Sequence, residues 1–441
     1  MDALMLSRIQ FGLTAGFHYI FPPLTIGLAG ILVALGWMRL RRDEPVYDQM
    51  MRFWVKLFAI NFAIGVATGI VMEFEFGTNW SNYSKYVGDI FGAPLAAEAI
   101  FTFFLESSFL AVLVFGWDRV SKKAHFVSAC MVSLGSLMSA FWIIVANSWQ
   151  QTPAGYKLAT DASGKVIRAE LTDFAAAVFN PSTLPRYFHA LAGAFTVAAF
   201  VMGGIAAWYL LKGIHLEFAK KSLKVAIVTG VIATLGSAVV GDWHTRQVAL
   251  TQPAKFAAME AVFKTQNGAP FLLVGYPLPD FGIPKLLSFM VHFDWNAKIV
   301  GLDAFPPEDL PPVTFTAMSF HAMVWPGFFC LFFMLFGAYQ LWRGKLYENR
   351  RYLKALFWCI PLPYLLNEIG WFTAEIGRQP WAVYGLLRTA DGYSPTVPAG
   401  QILFSIVLFS AIYMGLFALG FFLIRQRVLA GPEAQAKRKE A

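Results

Sequence analysis

Long apolar runs alternate with short polar breaks along the chain, and the runs have the length of membrane crossings. A bilayer span needs about 20 predominantly apolar residues. Nine stretches qualify, at roughly 12–38, 53–76, 94–117, 125–147, 185–211, 219–241, 313–342, 352–374 and 400–424. The fold class expected is therefore an all-α integral membrane protein, a bundle of nine transmembrane helices. No small-residue cleavage site follows the first run, so it reads as a span that is its own insertion signal. The longest polar break, 242–312, is rich in Pro and Gly and too long to be a simple connector, which marks it as functional. The chain thus divides into 1–241 with six spans, 242–312 as a loop, 313–424 with three spans, and a basic tail at 425–441. Pro22 and Pro23 cannot donate to the carbonyls of His18 and Tyr19, so the first span is expected to kink just below His18.

Composition removes other classes. Of 441 residues, 57% are hydrophobic and only 14% charged, against about 25% charged in soluble proteins. A soluble enzyme, a disordered chain and a nucleic-acid binder are excluded, the last despite a net charge of +8, because the basic residues sit in short clusters between spans. Those clusters set the orientation. Arg39, Arg41, Arg42 and Arg52 follow span one; Arg119, Lys122 and Lys123 follow span three; Lys212, Lys220, Lys221 and Lys224 follow span five. Arg343, Lys345, Arg350, Arg351 and Lys354 follow span seven, and Arg425, Arg427, Lys437, Arg438 and Lys439 make the tail. All fall on one side, so the positive-inside rule places the N-terminus outside and the C-terminus inside. The three cysteines, Cys130, Cys330 and Cys359, lie in apolar stretches without a CxxC and read as small buried hydrophobes.

Charge inside a span costs at least about 2.5–3.5 kcal/mol, so its carriers are functional candidates. They are His18, Glu73, Glu75, Glu98, Glu106, His189, His321, Glu368 and Glu375. With the orientation above, nearly all fall in the outer half of the membrane, as does Met323. Two helix-borne histidines, a methionine and several carboxylates suit haem iron, since His/Met is a common electron-transfer pair and a single weak ligand leaves iron open for oxygen. Zinc fits less well, because no two His or Cys share local ligand spacing. No GxSxG, P-loop, Rossmann fingerprint or HExxH points to hydrolase or nucleotide chemistry. A transporter is expected to hold substrate near the midplane and to show paired broken helices, and neither sign is seen.

The run GVATGIVMEFEFGTNWSNYSKYVGDIFGAPLAAEAIFTFFLES, the opening SRIQFGLTAGFHYIF and the segment EIGRQPW resemble subunit I of the cytochrome bd-type quinol oxidases, over all nine spans. The resemblance implies a respiratory terminal oxidase of the bacterial cytoplasmic membrane. Such an enzyme oxidises quinol at the outer face and reduces dioxygen to water through a low-spin haem b, a high-spin haem b and a haem d, generating a proton gradient. It implies that His189 and Met323 ligate the low-spin haem, and that His18 and Glu375 each ligate one high-spin haem; which of those is haem d differs among members. Glu98, Glu106 and Ser139 match the groups that lead protons to the oxygen site, and Trp371 the tryptophan beside the haems. Lys255 and Glu260, in KFAAME, match a quinol-binding pair in the outer loop, called the Q loop, and Arg378 and Gln379 match the arginine and glutamine of GRQPW. A subunit II, a small single-helix subunit, ubiquinol or menaquinol, dioxygen and membrane lipid are the implied partners, with no nucleic acid.

Two departures stand out. The Q loop is of the short type, and His321 stands where better-known members carry an arginine. Positions two apart on a helix point to nearly opposite sides, so His321 is not expected on the haem face of Met323 unless Pro326 distorts the helix. His189 with His321 is the alternative ligand pair. The competing reading of the whole chain is a haem-bearing membrane protein of the same fold without quinol oxidase activity, a sensor or an oxidoreductase with another donor; KFAAME and GRQPW argue against it.

Overall fold

The computed structural model describes residues 2–42, 44–278 and 281–432; Lys437, Arg438 and Lys439 of the basic tail lie outside the described residues. The chain is mainly helical: α1 Ala3–Tyr19, α2 Phe21–Arg41, α3 Pro45–Thr78, α4 Ser81–Ala97, a π-helical turn Glu98–Phe103, α5 Phe104–Phe115 and α6 Lys122–Gln151. A hairpin of β1 Tyr156–Thr160 and β2 Val166–Leu171 follows, then α7 Phe174–Val178, α8 Thr183–Lys212, α9 Leu216–Thr251 and α10 Pro253–Met259. The 242–312 region continues with β3 Gln266–Asn267, β4 Phe271–Val274, β5 Phe281–Ile283, α11 Leu286–His292 and β6 Lys298–Ile299. The last part holds α12 Val313–Trp342, α13 Arg350–Trp358, α14 Leu362–Ile376, β7 Trp381–Val383, β8 Leu387–Arg388, α15 Thr389–Gly392 and α16 Ala399–Ala430. The strands pair only as two-stranded antiparallel ribbons, β1 with β2, β3 with β6, β4 with β5 and β7 with β8.

Eight helical segments among the described residues are long and apolar enough to cross a membrane. Each coincides with one of the expected spans, and most outrun it: α9 continues to Thr251, ten residues into the break that hydropathy marks from 242. The expected span at 352–374 is different. It is built from α13 and α14, which part at Cys359–Pro361. Pro361 has no N–H to continue the helix and Pro363 sits in the next first turn, where a missing donor costs nothing. The observed count of long apolar helices is therefore eight rather than nine. In the first span α1 ends at Tyr19 and α2 resumes at Phe21, with Ile20 between them still in the right-handed helical region.

The basic ends of several helices meet. Asp48 on α3 pairs with Arg39 at the end of α2 and with Arg52 at 2.7 Å. Both guanidiniums lie over the Trp117 ring. Lys221 at the start of α9 pairs with Glu44. Tyr209 on α8 donates to the Val428 carbonyl of α16 at 2.7 Å. The largest apolar cluster packs α2, α3 and α8 together around Phe53, Trp54 and Phe58, all fully buried. α16 is the opposite case: Phe404, Val407, Met414 and Phe421 are each more than 60% exposed. Lipid tails are as apolar as these side chains, so this face costs nothing in a bilayer.

Candidate functional site

At the opposite end of the bundle from the basic clusters, α14 is a hub. Its Glu375 accepts from Asn147 Nδ2 of α6 at 3.0 Å and from Arg378, while Arg186 of α8 bonds Asn147 and lies 3.9 Å from the carboxylate. Two guanidiniums under 10% exposed thus bracket one carboxylate. Buried ions require such pairing, because desolvation costs several kcal/mol per charge. Arg378 Nε and Nη1 find no hydrogen bond among the described residues.

The hub reaches four other elements. Lys255 of α10 is buried and donates to the Ala374 carbonyl at 2.8 Å and to Gln151 Oε1 of α6 at 3.1 Å. Burial, and then the charge of Arg186, push its amine well below the ordinary lysine value. Gly370 turns toward α12: a Cβ there would stand 2.8 Å from Met323 Sδ. Gly16 of α1 faces Glu368 and the Trp371 ring, each within 3.7 Å of where its Cβ would be. Beyond them on α8, His189 lies one turn from Arg186, its Cε1 3.2 Å from the Cβ position of Gly241 on α9. His189 Nδ1 is buried without a well-formed hydrogen bond.

His18 is held from α3. Its Nδ1 is 2.9 Å from Thr68 Oγ1, and the Thr68 hydroxyl lies 3.1 Å and 3.0 Å from the Ile64 and Gly65 carbonyls. Those carbonyls can only accept, so the hydroxyl spends its proton on them and accepts from His18 Nδ1–H. Nε2 is then the bare lone pair. Gly69 makes the room, since a Cβ there would stand 3.1 Å from His18 Cε1.

A second polar group sits on α6. Ser139 donates to Glu98 at 2.8 Å, and Ser136 to Glu106. Gly135 lets α5 approach: its Cβ would fall 2.9 Å from that of Glu106. Glu98 opens the π-helical turn, which follows Pro94; such turns often sit at functional positions.

In the 242–312 region, Glu260 caps α10. It is buried, Oε2 has no partner, and burial alone lifts its carboxyl to about 8. Lys255 and Glu260 therefore serve different surroundings, the first tied to the α14 hub and the second alone. Gln379 accepts from Thr389 at 2.9 Å and from Arg8 at 3.4 Å.

Residue pattern missed several participants. Arg186, Asn147, Gln151, Thr68 and Ser136 carry the hydrogen bonds above. Ser136 had a signal, because it lies three residues from Ser139 on one helix face. Asn147 and Thr68 are neutral and cost little in a span, so no insertion penalty marks them.

The family model described as cytochrome bd terminal oxidase subunit I matches residues 6–432. The chain belongs to this family. Within the cytochrome bd family it is 39% identical to the cytochrome bd ubiquinol oxidase subunit 1 of Bacillus subtilis, over 98% of this chain and 95% of that one. It is 36% identical to the cytochrome bd-II ubiquinol oxidase subunit 1 of Escherichia coli, over 98% of each. The solved bd oxidase of Geobacillus thermodenitrificans superposes with a TM-score of 0.88 at 30% identity, covering 97% of this chain and 98% of that one.

The cytochrome bd family implies haem, and the donor set fits it. His18 offers an Nε2 lone pair fixed by Thr68, His189 brings a buried imidazole against α9 beside Gly241, and Met323 presents its sulfur in a space left by glycine. Among the described residues there is no group of three or more His, Cys, Asp or Glu that could hold a free metal ion. One or two axial donors per site are what a macrocycle requires.

Proposed function

We propose that this chain is the haem-bearing subunit of a respiratory quinol:oxygen oxidoreductase in the bacterial cytoplasmic membrane, and that it oxidises quinol at the outer face. The observation that carries this reading is the hub at α14, which gathers the surroundings of His18, Met323 and Glu375, and joins them to Lys255, at one end of the bundle. His189 and Met323 hold a low-spin haem b, and His18 and Glu375 each hold one of a high-spin haem b and a haem d. When bound, these groups carry electrons singly and reduce dioxygen.

The stoichiometry is closed by two quinols, which lose four electrons and four protons, and one dioxygen, which takes up four of each to give two waters. The chain's own residues bind, orient and move protons. Arg186, Arg378 and Asn147 keep Glu375 ionised and oriented, as outer-shell partners do for metal-bound carboxylates. Trp371 packs beside Gly16 and fills the space between α1 and α14. Glu98 with Ser139, and Glu106 with Ser136, hold protons at two depths along α6. Glu260, unpaired and partly protonated near neutral pH, accepts a quinol proton. Lys255, tied to the Ala374 carbonyl and Gln151, stands where its amine can bond a quinol oxygen, and Arg378 and Gln379 close the same surface.

We read α13 and α14 together as the ninth crossing, with the N-terminus outside and the C-terminus inside. The 242–312 region then lies outside as a short Q loop, and the tail beyond 425 inside. The lipid-like face of α16 suits a partner subunit II, and a small single-helix subunit belongs to the same assembly. Ubiquinol and menaquinol both fit this reading.

The test is a dithionite-reduced minus oxidised spectrum of the purified complex, with CO added, alongside quinol-dependent oxygen uptake. Haem b bands, a CO-sensitive red chlorin band and oxygen uptake are expected. Folded complex with no haem overturns the ligand assignments together; haem without quinol-driven uptake favours the sensor or alternative-donor reading.

A further inference from the structure

The turn between α12 and α13 gathers charge that the protein leaves uncompensated. Arg343, Lys345, Arg350, Arg351 and Lys354 are all exposed, and Glu348 is the one carboxylate among them. None of the five cations has an ion-pair partner among the described residues. Other basic ends are built differently: Arg39 and Arg52 share Asp48, and Lys221 takes Glu44. The positive-inside rule asks for Lys and Arg at this end of the bundle; it does not ask that they stand unpaired.

Beside this charge runs a column of exposed rings. Phe328, Phe332, Phe336 and Tyr339 follow at four- and three-residue spacing, so they share one face of α12. Phe328 stacks on Phe332 at 6.5 Å, Tyr339 lies 6.2 Å from Trp342, and the Arg343 guanidinium stands 6.0 Å over the Tyr339 ring. At 1.5 Å per residue the column is about 16 Å long, close to half of a hydrocarbon core of about 30 Å. It therefore spans one leaflet, with the cations at its end. α13 folds back along it: the Tyr352 ring stacks on Phe333 at 4.6 Å and lies 5.8 Å from Phe336. Tyr352, Leu353 and Leu356 are buried, which leaves Arg351, Lys354 and Trp358 together on the outward face of α13. Trp342 and Trp358 are 79% and 77% exposed, as ring systems at a headgroup boundary are.

The occupant must join an anion to an apolar body one leaflet long. A free phosphate lacks the body, and a zwitterionic lipid brings its own cation and leaves the five side chains uncompensated. An anionic phospholipid meets both conditions, and basic pockets beside membrane helices are headgroup sites in general. We propose that the elbow of α12 and α13 binds an anionic phospholipid, its phosphate among Arg343, Arg351 and Lys354 and an acyl chain along Phe336, Phe332 and Phe328. So placed, the lipid staples α13 to α12 in the crossing that breaks at Cys359–Pro361. Neither the quinol chemistry nor the orientation of the bundle enters into it.

The test uses the complete oxidase in phosphatidylcholine nanodiscs, with and without phosphatidylglycerol that carries a diazirine in one acyl chain. Crosslinks are expected within 328–342 or 350–358. Phosphatidylglycerol is expected to raise the melting temperature of the parent, and inorganic phosphate to leave it unchanged. The anionic lipid retained through detergent exchange, counted by native mass spectrometry, is expected to fall by about half or more in the triple variant Arg343→Gln, Arg351→Gln, Lys354→Gln. It is expected to hold in Lys157→Gln, Lys165→Gln, Arg168→Gln, which removes the same charge from the β1–β2 hairpin. Equal retention in the parent and the first variant overturns the site, and so does equal loss in both variants. Crosslinks confined to other segments overturn it as well. A melting temperature raised as much by inorganic phosphate as by the lipid does the same. Should the first variant fail to assemble, the crosslinks and melting temperatures of the parent decide alone.

Discussion

Single atoms decide much of the site's chemistry. Glu260 is the clearest case, because burial without a partner raises its carboxyl to about 8. Only the ionised form accepts a proton, so the competent fraction grows from on the order of a hundredth at pH 6 to most molecules at pH 9. Quinol oxidation is expected to rise with pH across that range in steady-state assays. Glu260→Gln is expected to flatten the profile and lower kcat by about a hundredfold, within the range for loss of a general base; an unchanged profile removes Glu260 from proton transfer. The linkage runs the other way for stability. A carboxyl raised in the folded state contributes stability that is full below its unfolded value, near 4.5, and is lost as pH rises through about 8. The same variant therefore loses part of the decline in melting temperature between pH 5 and 8. Thr68 offers a second test. It fixes the His18 tautomer through Nδ1, and loss of such a partner typically costs 10–100-fold in metal affinity, to order of magnitude. Thr68→Val is expected to lower the haem-to-protein ratio of the purified complex, read by pyridine haemochrome, while Thr68→Ser keeps it.

Between elements, glycine sets the spacing. α12 and α14 meet where Gly370 leaves room for Met323, and a methyl group there would stand 2.8 Å from the sulfur. Methionine is flexible, so the helices stay in place and the sulfur moves. Gly370→Ala is expected to reduce the low-spin haem band by at least half at unchanged expression; a normal band means that Met323 is not the ligand. The same scale shows what could be read from residues and what could not. Insertion cost singles out His18, His189, Glu375 and the other charged positions, because each opposes the bilayer. It is silent on Asn147, Gln151 and Ser136, whose bonds to Glu375, Lys255 and Glu106 form only when α6 packs against its neighbours. The one-residue junction at Ile20 lies just ahead of Pro22 and Pro23. The break at Cys359–Pro361 carried the same proline signal, yet the apolar run continues across it, and hydropathy alone reads one helix where there are two. Arg186 escaped notice for another reason: it stands at the start of its span, where a basic residue usually snorkels, and here turns inward to Glu375.

For the whole molecule, the two ends of the bundle differ in what they do with charge. One end gathers Arg39, Arg52, Asp48, Lys221 and Glu44 into pairs beside exposed loops. The other buries Arg186, Arg378, Glu375 and Lys255 together and carries the β1–β2 hairpin and the 242–312 region. Loops rich in Lys and Arg stay on the cytoplasmic side, which makes the second end the outer one in the orientation proposed above. The consequence is energetic. Moving one charge across 100 mV is worth about 2.3 kcal/mol. A proton taken from the inside to an outer site, and a proton released there from quinol, together store energy only in this orientation. Single cysteines on a background without Cys130, Cys330 and Cys359 test it. Ser163→Cys lies in the hairpin turn and Arg351→Cys in the exposed start of α13. In intact cells, a membrane-impermeant maleimide is expected to label the first and spare the second, with both labelled after lysis. The opposite pattern would invert the protein in the membrane and leave its redox chemistry uncoupled from the gradient in the direction proposed.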